Sequence, residues 1–416
     1  TDLMTSPNIE GDDLHSTNNE PLENIHLLPD KVKISGLSER PHLGPRLLFF
    51  SGGSALKELS RAIIQYTHNS IHVITPFDSG GSSARLRKAF CMPAVGDIRN
   101  RLMALANRNK TGNSELHSLF TYRLAAGVAK KELFKELKQM AAGSHSLVAA
   151  IPEPIHRVVC SHLESFLKWK PDSFNPEGAS IGNLLLTAGY LEHDRRLNQV
   201  IDLYSELAEA RGIVRPVLNA SLQLTAVLEN GRLLQGQHLL TGKQTEPIAS
   251  RVRDICLSRD CPGPVDVEIR EDLKGFISRA DLICYPMGSF YSSLIANLLP
   301  QGVTDSIAGA DCPKIFIPNT FPDPECYGQT LSDQVSTLLR YLVRKTGDRN
   351  DSSRSSRVLD YVLLDTDPNR YKGSLDPKLL ESFQAKVLRV ELVTPESSPC
   401  IDPQRLLPIL LSLSKG

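Results

Sequence analysis

Three times along the chain an apolar run stops at a small-residue turn and restarts as an apolar stripe of helical spacing. The first is "RLLFFSGGSALKELSRAI" (46–63), where Ala55, Leu56, Leu59 and Ile63 form the stripe. The second is "SIHVIT" (70–75) followed by "DSGGSSARLR" (78–87), and the third is "DLICYPMGSFYSSLIANLL" (281–299). Continuous apolar runs suit strands buried on both faces, and stripes repeating every three to four residues suit helices packed on them. The spacing therefore predicts three strand–turn–helix units.

Between the second and third units the pattern turns helical. "GDIRNRLMALA" (96–106) reads as a helix, with Asp97 near its start. From about 112 to 210 further helical segments suggest an insertion capping a sheet. "IVRPVL", "LQLTAVLENG", "PKIFIPN", "LDYVLLD" and "AKVLRVELV" read as further strands, and "PQRLLPILLSL" as a last helix. Strands alternating with helices predict an α/β fold: a mostly parallel, Rossmann-like sheet with helices on both faces. Residues 1–43 are polar and predict a flexible tail, in which "KVKIS" (31–35) has the alternation of a short edge strand. The rest, 44–416, reads as a single α/β domain; "GDRNDSSRSSR" (347–357) reads as a solvated loop.

Composition narrows the function classes. The 416 residues carry 47 basic and 47 acidic side chains, so no long-range pull toward nucleic acid or acidic membranes is expected. No run approaches the roughly 20 apolar residues of a membrane span. The N-terminus lacks a basic-then-apolar secretion pattern, and the eight scattered cysteines suit reduced thiols, so a cytoplasmic setting is expected. A homodimer is compatible with this sequence.

The turns carry the candidate chemistry. In an open parallel sheet, loops after strands lie at the carboxyl edge, where ligands bind. Glycine admits phosphate to the backbone, and N–H groups at a helix start point at the anion. A plain tight connection explains any one such turn; three in one chain favour a phosphate site. No GxxxxGK[ST] loop is present, so P-loop ATP hydrolysis is not supported, and no GxSxG elbow supports a serine triad. Arg85, Arg87, Arg99 and Arg101 follow the turns and offer guanidinium forks, although Arg85 and Arg87 cannot face the same point on a helix. Asp78 suits a magnesium ligand, a sugar-hydroxyl acceptor or a base, and equally a carboxylate shaping its own turn. Asn183 is a ligand contact or an interhelix bond, and Asn319 a cleft residue or a turn former.

Taken in order, "FFSGGSALKEL", "VITPFDSGGSSARLR", "PAVGDIRNRLMALA", "SIGNLLL", "DLICYPMGSFYSSLIANLL" and "PKIFIPN" resemble the CofD/YvcK family over roughly residues 45–330. The family includes 2-phospho-L-lactate transferase and the gluconeogenesis factor YvcK. "GGSSARLR" and "GDIRNRLMALA" resemble the YvcK branch more closely. The resemblance implies a nucleotide site at the sheet's carboxyl edge. For the transferase branch it implies a nucleoside-diphosphate-linked donor with a divalent metal, here Mg2+. For the YvcK branch it implies a nucleotide-sugar ligand and metabolic control.

Carried onto this chain, the resemblance places ligand contacts at Gly52, Gly53 and Ser54, then at Gly80, Gly81, Ser82 and Ser83, with Arg87 as clamp. It adds Gly96, Asp97, Arg99 and Asn100, then Asn183, Gly288, Ser289, Tyr291, Ser292 and Asn319. Asp78 falls at the catalytic and metal position. Where the family carries two aspartates this chain has Asp78 and Ser79, which weakens metal binding and favours binding over catalysis. The ligand expected is a GDP-, UDP-sugar- or NAD-like nucleotide, held either by a transferase or by a non-catalytic sensor.

Overall fold

The structure, a computed structural model, describes residues 28–242, 245–259, 263–344 and 358–415. Ten strands occur among them: β1 (Leu47–Ser51), β2 (Ile71–Ile74), β3 (Ile213–Pro216), β4 (Gln223–Leu228), β5 (Leu233–Gln235), β6 (Val252–Ser258), β7 (Leu282–Tyr285), β8 (Lys314–Phe316), β9 (Tyr361–Asp365) and β10 (Lys386–Val390). Seven of them form one sheet in the order β10-β9-β8-β7-β1-β2-β3, every pair parallel. This is the α/β architecture predicted above.

Alternating side chains explain why the sheet is covered on both sides. Leu47, Phe49 and Ile74 enter one core, while Leu48, Phe50, Ile71 and Val73 enter the other. β1 is wholly buried along its length, as a central strand of a doubly covered parallel sheet must be. Between β2 and β3 the chain makes a series of helices, among them Gly96–Leu105, Asn113–Thr121, Lys130–Ala141, Ile155–Trp169, Ile181–Glu192 and Leu197–Leu207. No helix among the described residues is long and apolar enough to cross a membrane.

The strand order fixes the position of a cleft. From β1 the chain winds outward through β2 to β3, and the later strands β7 to β10 build outward on the opposite side. The loops leaving β1 and β7 therefore diverge, and a crevice opens beyond their carboxyl ends.

Two features depart from the sequence reading. "KVKIS" is not an edge strand; it lies in the helix Lys31–Glu39. Asp30 caps this helix by accepting from the Val32 and Lys33 N–H groups, and Lys33 Nζ donates to Ser414 O (2.6 Å), so the segment packs on the last helix and not on a sheet edge. The helix also lies inside the stretch read as tail; residues 1–27 and the loop read at 347–357 fall outside the described residues, 347–357 entirely. The second departure is β4, which leaves the main sheet. It joins an antiparallel sheet in the order β5-β4-β6, and β6 was not read from the sequence. The "NG" at 230–231 makes the β4–β5 hairpin, with Gly231 at φ +84°.

Buried polar groups lock the carboxyl edge. The Asn297 amide donates to Ser293 O (2.8 Å), Ser51 O (3.2 Å) and Val73 O (3.4 Å), joining the ends of β1 and β2 to the helix after β7. Arg101 is fully buried. It donates to Gly52 O (2.9 Å), Leu56 O (3.0 Å) and the Ser60 hydroxyl, holding the β1 turn against the following helix. Replacing Asn297 by Ala should cost about 1–3 kcal/mol, because it strands buried carbonyls. A urea-denaturation midpoint unchanged within error would contradict this bracing role.

Candidate functional site

At the β1 turn two glycines are required by close approach. A Cβ on Gly53 would overlap the Asp97 carboxylate, and one on Gly52 would sit 2.5 Å from Ser293 Oγ. Asp97 stands in the first turn of Gly96–Leu105. The absence of side chains at 52 and 53 thus lets a helix N-terminus and its acid press against the backbone leaving β1.

The β2 turn arrives from the other side. The Gly80 N–H donates to Asp78 Oδ1 (3.0 Å), so Asp78 does shape its own loop. Its second oxygen, Oδ2, lies 3.9 Å from where a Gly96 Cβ would stand. Ser83 Oγ and Asn183 Nδ2 face the same point at 3.3 and 3.8 Å. Gly96 is therefore the meeting place of the β2 turn and the helix Ile181–Glu192, next to the Asp97 on which the β1 turn packs.

Beside this junction lies a small polar cavity of about 170 Å³, lined by Gly53, Ser54, Asp78, Gly80, Asp97, Gln237, His238, Thr241, Ser289 and Ser293. It shares Ser54 and Ser289 with an apolar cavity of about 540 Å³, and His238 with a chamber of about 720 Å³. The three lie in a row along the carboxyl edge. Residues of the C-terminal portion, Ser397, Cys400, Ile401 and Pro403, wall the apolar cavity together with Met287, Phe321 and Pro322.

Two groups near the junction lack partners. Asn183 is buried, and its Oδ1 has no hydrogen bond. Arg99 is 5% exposed; Nη2 donates to Asn100 Oδ1 (2.7 Å), but Nε and Nη1 have no partner. Burial, with Arg123 nearby and Asp97 opposing, lowers the Arg99 guanidinium to about 10. Buried polar groups without partners are costly, and a ligand is one way they are satisfied.

Several expected contacts are placed elsewhere. Arg87 does not reach into the small cavity: its guanidinium donates to the carbonyls of Phe77 and Asp78 (3.1 Å each) and of Leu222, supporting the β2 turn from behind. Arg85 donates to Glu177 O. The third turn divides. Ser289 reaches the cavity. Gly288, at φ +134°, is held by a pair of bonds to the Asn319 amide, so Asn319 is a turn former. Tyr291 and Ser292 turn inward and are fully buried.

The reason for that inward turn is Glu325, which the sequence reading did not select. Its carboxylate accepts from the Tyr291 and Ser292 N–H groups (2.8 Å each) and from the Ser292 hydroxyl (2.5 Å). It occupies the anion position that a phosphate was expected to take. The helix there also widens, with Leu294 N–H bonded to Ser289 O (3.2 Å) across five residues. Burial, and the Asp323 charge beside it, push the Glu325 carboxyl up to about 7 against the pull of these donors. The sequence reading also missed Ser293, Gln237, His238 and Thr241. The last three arrive on the short helix Gln237–Thr241, which follows Gly236, two residues after the apolar pair Leu233–Leu234.

Comparison with known proteins agrees with this fold. A family model described as "2-phospho-L-lactate transferase CofD" matches residues 47–391. A putative gluconeogenesis factor of Nostoc sp. is 26% identical, covering 91% of this chain and 70% of that protein. The gluconeogenesis factor of Bacillus subtilis is also 26% identical, covering 72% of this chain and 75% of that protein. A crystal structure of a UPF0052 family member from Bacillus halodurans shares the fold, with TM-score 0.64 at 21% identity, over 88% of this chain and 99% of that one.

Two outcomes follow for variants at these positions. Gly53→Ala should destabilise the protein, and Asp97→Ala should relieve most of that cost when combined with it, because the clash is with the carboxylate. Strict additivity in a double-mutant cycle by chemical denaturation would contradict the contact. Glu325→Gln keeps acceptors and donors for Ser292 and the backbone but cannot ionise. A carboxyl raised above its unfolded value of about 4.3 contributes stability at low pH and loses it as pH rises through its folded value. Wild type should therefore lose stability relative to Glu325→Gln between pH 5 and pH 8; a difference independent of pH would contradict the raised value.

Proposed function

Because the chain belongs to the family of 2-phospho-L-lactate transferase CofD, we propose that it binds a nucleoside diphosphate linked to a small group such as a sugar. The observation that carries this reading is the convergence of the Gly52–Gly53 and Gly80–Gly81 turns on one polar cavity beside the strand-order reversal. A volume of about 170 Å³ suits a diphosphate, and the larger cavities on either side leave room for what is attached at each end.

The residues fit a divalent cation better than the sequence suggested. Ser79 does stand where a second aspartate would, but Asp97 lines the same cavity as Asp78. Magnesium is commonly held by one or two carboxylates together with substrate phosphates and water. Asp78 and Asp97 would hold it here, and it would neutralise the charge of the diphosphate. No group of three His, Cys, Asp or Glu side chains that could hold a metal ion occurs among the described residues. Backbone N–H groups of the glycine turns and the hydroxyls of Ser54, Ser289 and Ser293 would orient the phosphates. Asn183 places its Nδ2 at the Gly96 junction, while its buried Oδ1 lacks a hydrogen bond.

A second reading, group transfer, is favoured by the same pair of acids. A carboxylate beside the phosphates can accept a proton from an attacking hydroxyl, and Asp78 has one oxygen outside its own turn bond. Sensing and transfer share the binding step and differ only in turnover.

The test is thermal denaturation with GDP, UDP-glucose and NAD, each with and without magnesium. A ligand at 100 times its dissociation constant should stabilise the protein by about 2.7 kcal/mol. Magnesium should strengthen the response of wild type and not that of Asp78→Asn/Asp97→Asn. Absence of any response to all three nucleotides would overturn the proposal.

A further inference from the structure

The β2 turn fixes more than its own acid. The Gly80 N–H holds Asp78, and Ser79, between them, holds a ring from a distant part of the chain. Ser79 Oγ lies 2.8 Å from His238 Nδ1 and accepts from the His238 backbone N–H (3.3 Å). Position 236 makes room for this meeting. A Cβ on Gly236, at φ +116°, would stand 2.8 Å from His238 Cε1, 2.9 Å from Nδ1 and 3.2 Å from Ser79 Oγ. Glycine is thus favoured there both by space and by backbone conformation.

The ring held in this way stands where two spaces meet. His238 lines the small polar cavity together with Asp78, Asp97 and Gly80, and it lines the chamber of about 720 Å³ whose walls include Arg87, Lys88 and Arg259. A neutral imidazole has one N–H and one bare nitrogen, and the partner of one nitrogen decides which is which. The Ser79 oxygen receives the His238 backbone N–H, and its own hydroxyl proton can turn toward Nδ1. With Nδ1 accepting, the ring proton sits on Nε2, on the edge of the ring away from Ser79.

We infer that Ser79 sets His238 in the Nε2–H tautomer, and that this N–H donates to a ligand oxygen at the boundary between the polar cavity and the chamber. The assignment rests on the nucleoside-diphosphate reading given above and names a donor for that ligand outside the glycine turns. His238 is the binding residue, and Ser79 is a positioning residue that acts through it. A donor at this point complements Asp78 and Asp97, which only accept when ionised. Loss of a hydrogen bond to a charged oxygen lowers affinity roughly tenfold to a hundredfold.

Two substitutions separate this role from a purely structural one. The amide nitrogen of glutamine falls near the place of Nε2, and that of asparagine near the place of Nδ1, so His238→Asn keeps a bond to Ser79 and controls for folding. The experiment is calorimetric titration of GDP and UDP-glucose into wild type, His238→Gln, His238→Asn and His238→Ala, with nitrogen NMR of the imidazole in free wild type and Ser79→Ala at pH 8. His238→Gln is expected to bind within about threefold of wild type, and His238→Asn and His238→Ala about tenfold or more weakly. Free wild type is expected to show the Nε2–H tautomer, and Ser79→Ala a mixture of the two. Wild-type affinity in His238→Asn, affinity in His238→Gln as weak as in His238→Ala, an Nδ1–H tautomer in wild type, or a tautomer unchanged in Ser79→Ala would overturn the inference and leave the diphosphate reading standing. Failure of both nucleotides to bind wild type would overturn both.

Discussion

The reversal of strand order at β1 is the constraint from which the rest follows. Strands to one side of β1 belong to the early chain, and those on the other side to the late chain. Their connecting loops cannot cover the same point, so a crevice remains where β1 and β7 end. The chain then has to stabilise exposed strand ends next to a void. Asn297 and Arg101 do so by bonding to carbonyls from several elements at once. The glycines at 52 and 53 allow the acid of a neighbouring helix to close in on the same backbone. Stability and the shape of the cleft are thus set by one group of contacts.

The fold was legible because it depends on period. Apolar runs such as "LLFF" and "LICY" become strands buried on both faces, and the stripes after the turns become the covering helices. What escaped was three-dimensional accounting. Arg87 looks like a phosphate fork in sequence, yet three carbonyls claim it. Tyr291 and Ser292 look like the start of an anion-binding helix, and they are, but the anion is Glu325, more than thirty residues further along. No local pattern reveals that a distant acid will occupy a helix start. The Gln237–Thr241 segment escaped for a related reason, since its position depends on the small antiparallel sheet that precedes it.

Ser79, read from the sequence as standing where a second aspartate was expected, takes on a different meaning in three dimensions. From sequence it signals the loss of a carboxylate. In the structure a carboxylate from another element, Asp97, already lines the cavity, and Ser79 instead orients His238 at the edge of the basic chamber. The small cavity thus keeps two acids, Asp78 and Asp97, with a serine at position 79. Meanwhile Glu325 closes the third turn with the protein's own carboxyl group, which leaves the first two turns as the ones open toward the polar cavity.

The most direct measurement is a crystal structure with a nucleoside diphosphate bound. The account predicts diphosphate density between residues 52–54 and 78–81, beside Asp97, with the Glu325 bonds to Tyr291 and Ser292 intact. Phosphates seated on the Tyr291 and Ser292 backbone in place of Glu325, or bound away from the carboxyl ends of β1 and β2, would contradict it.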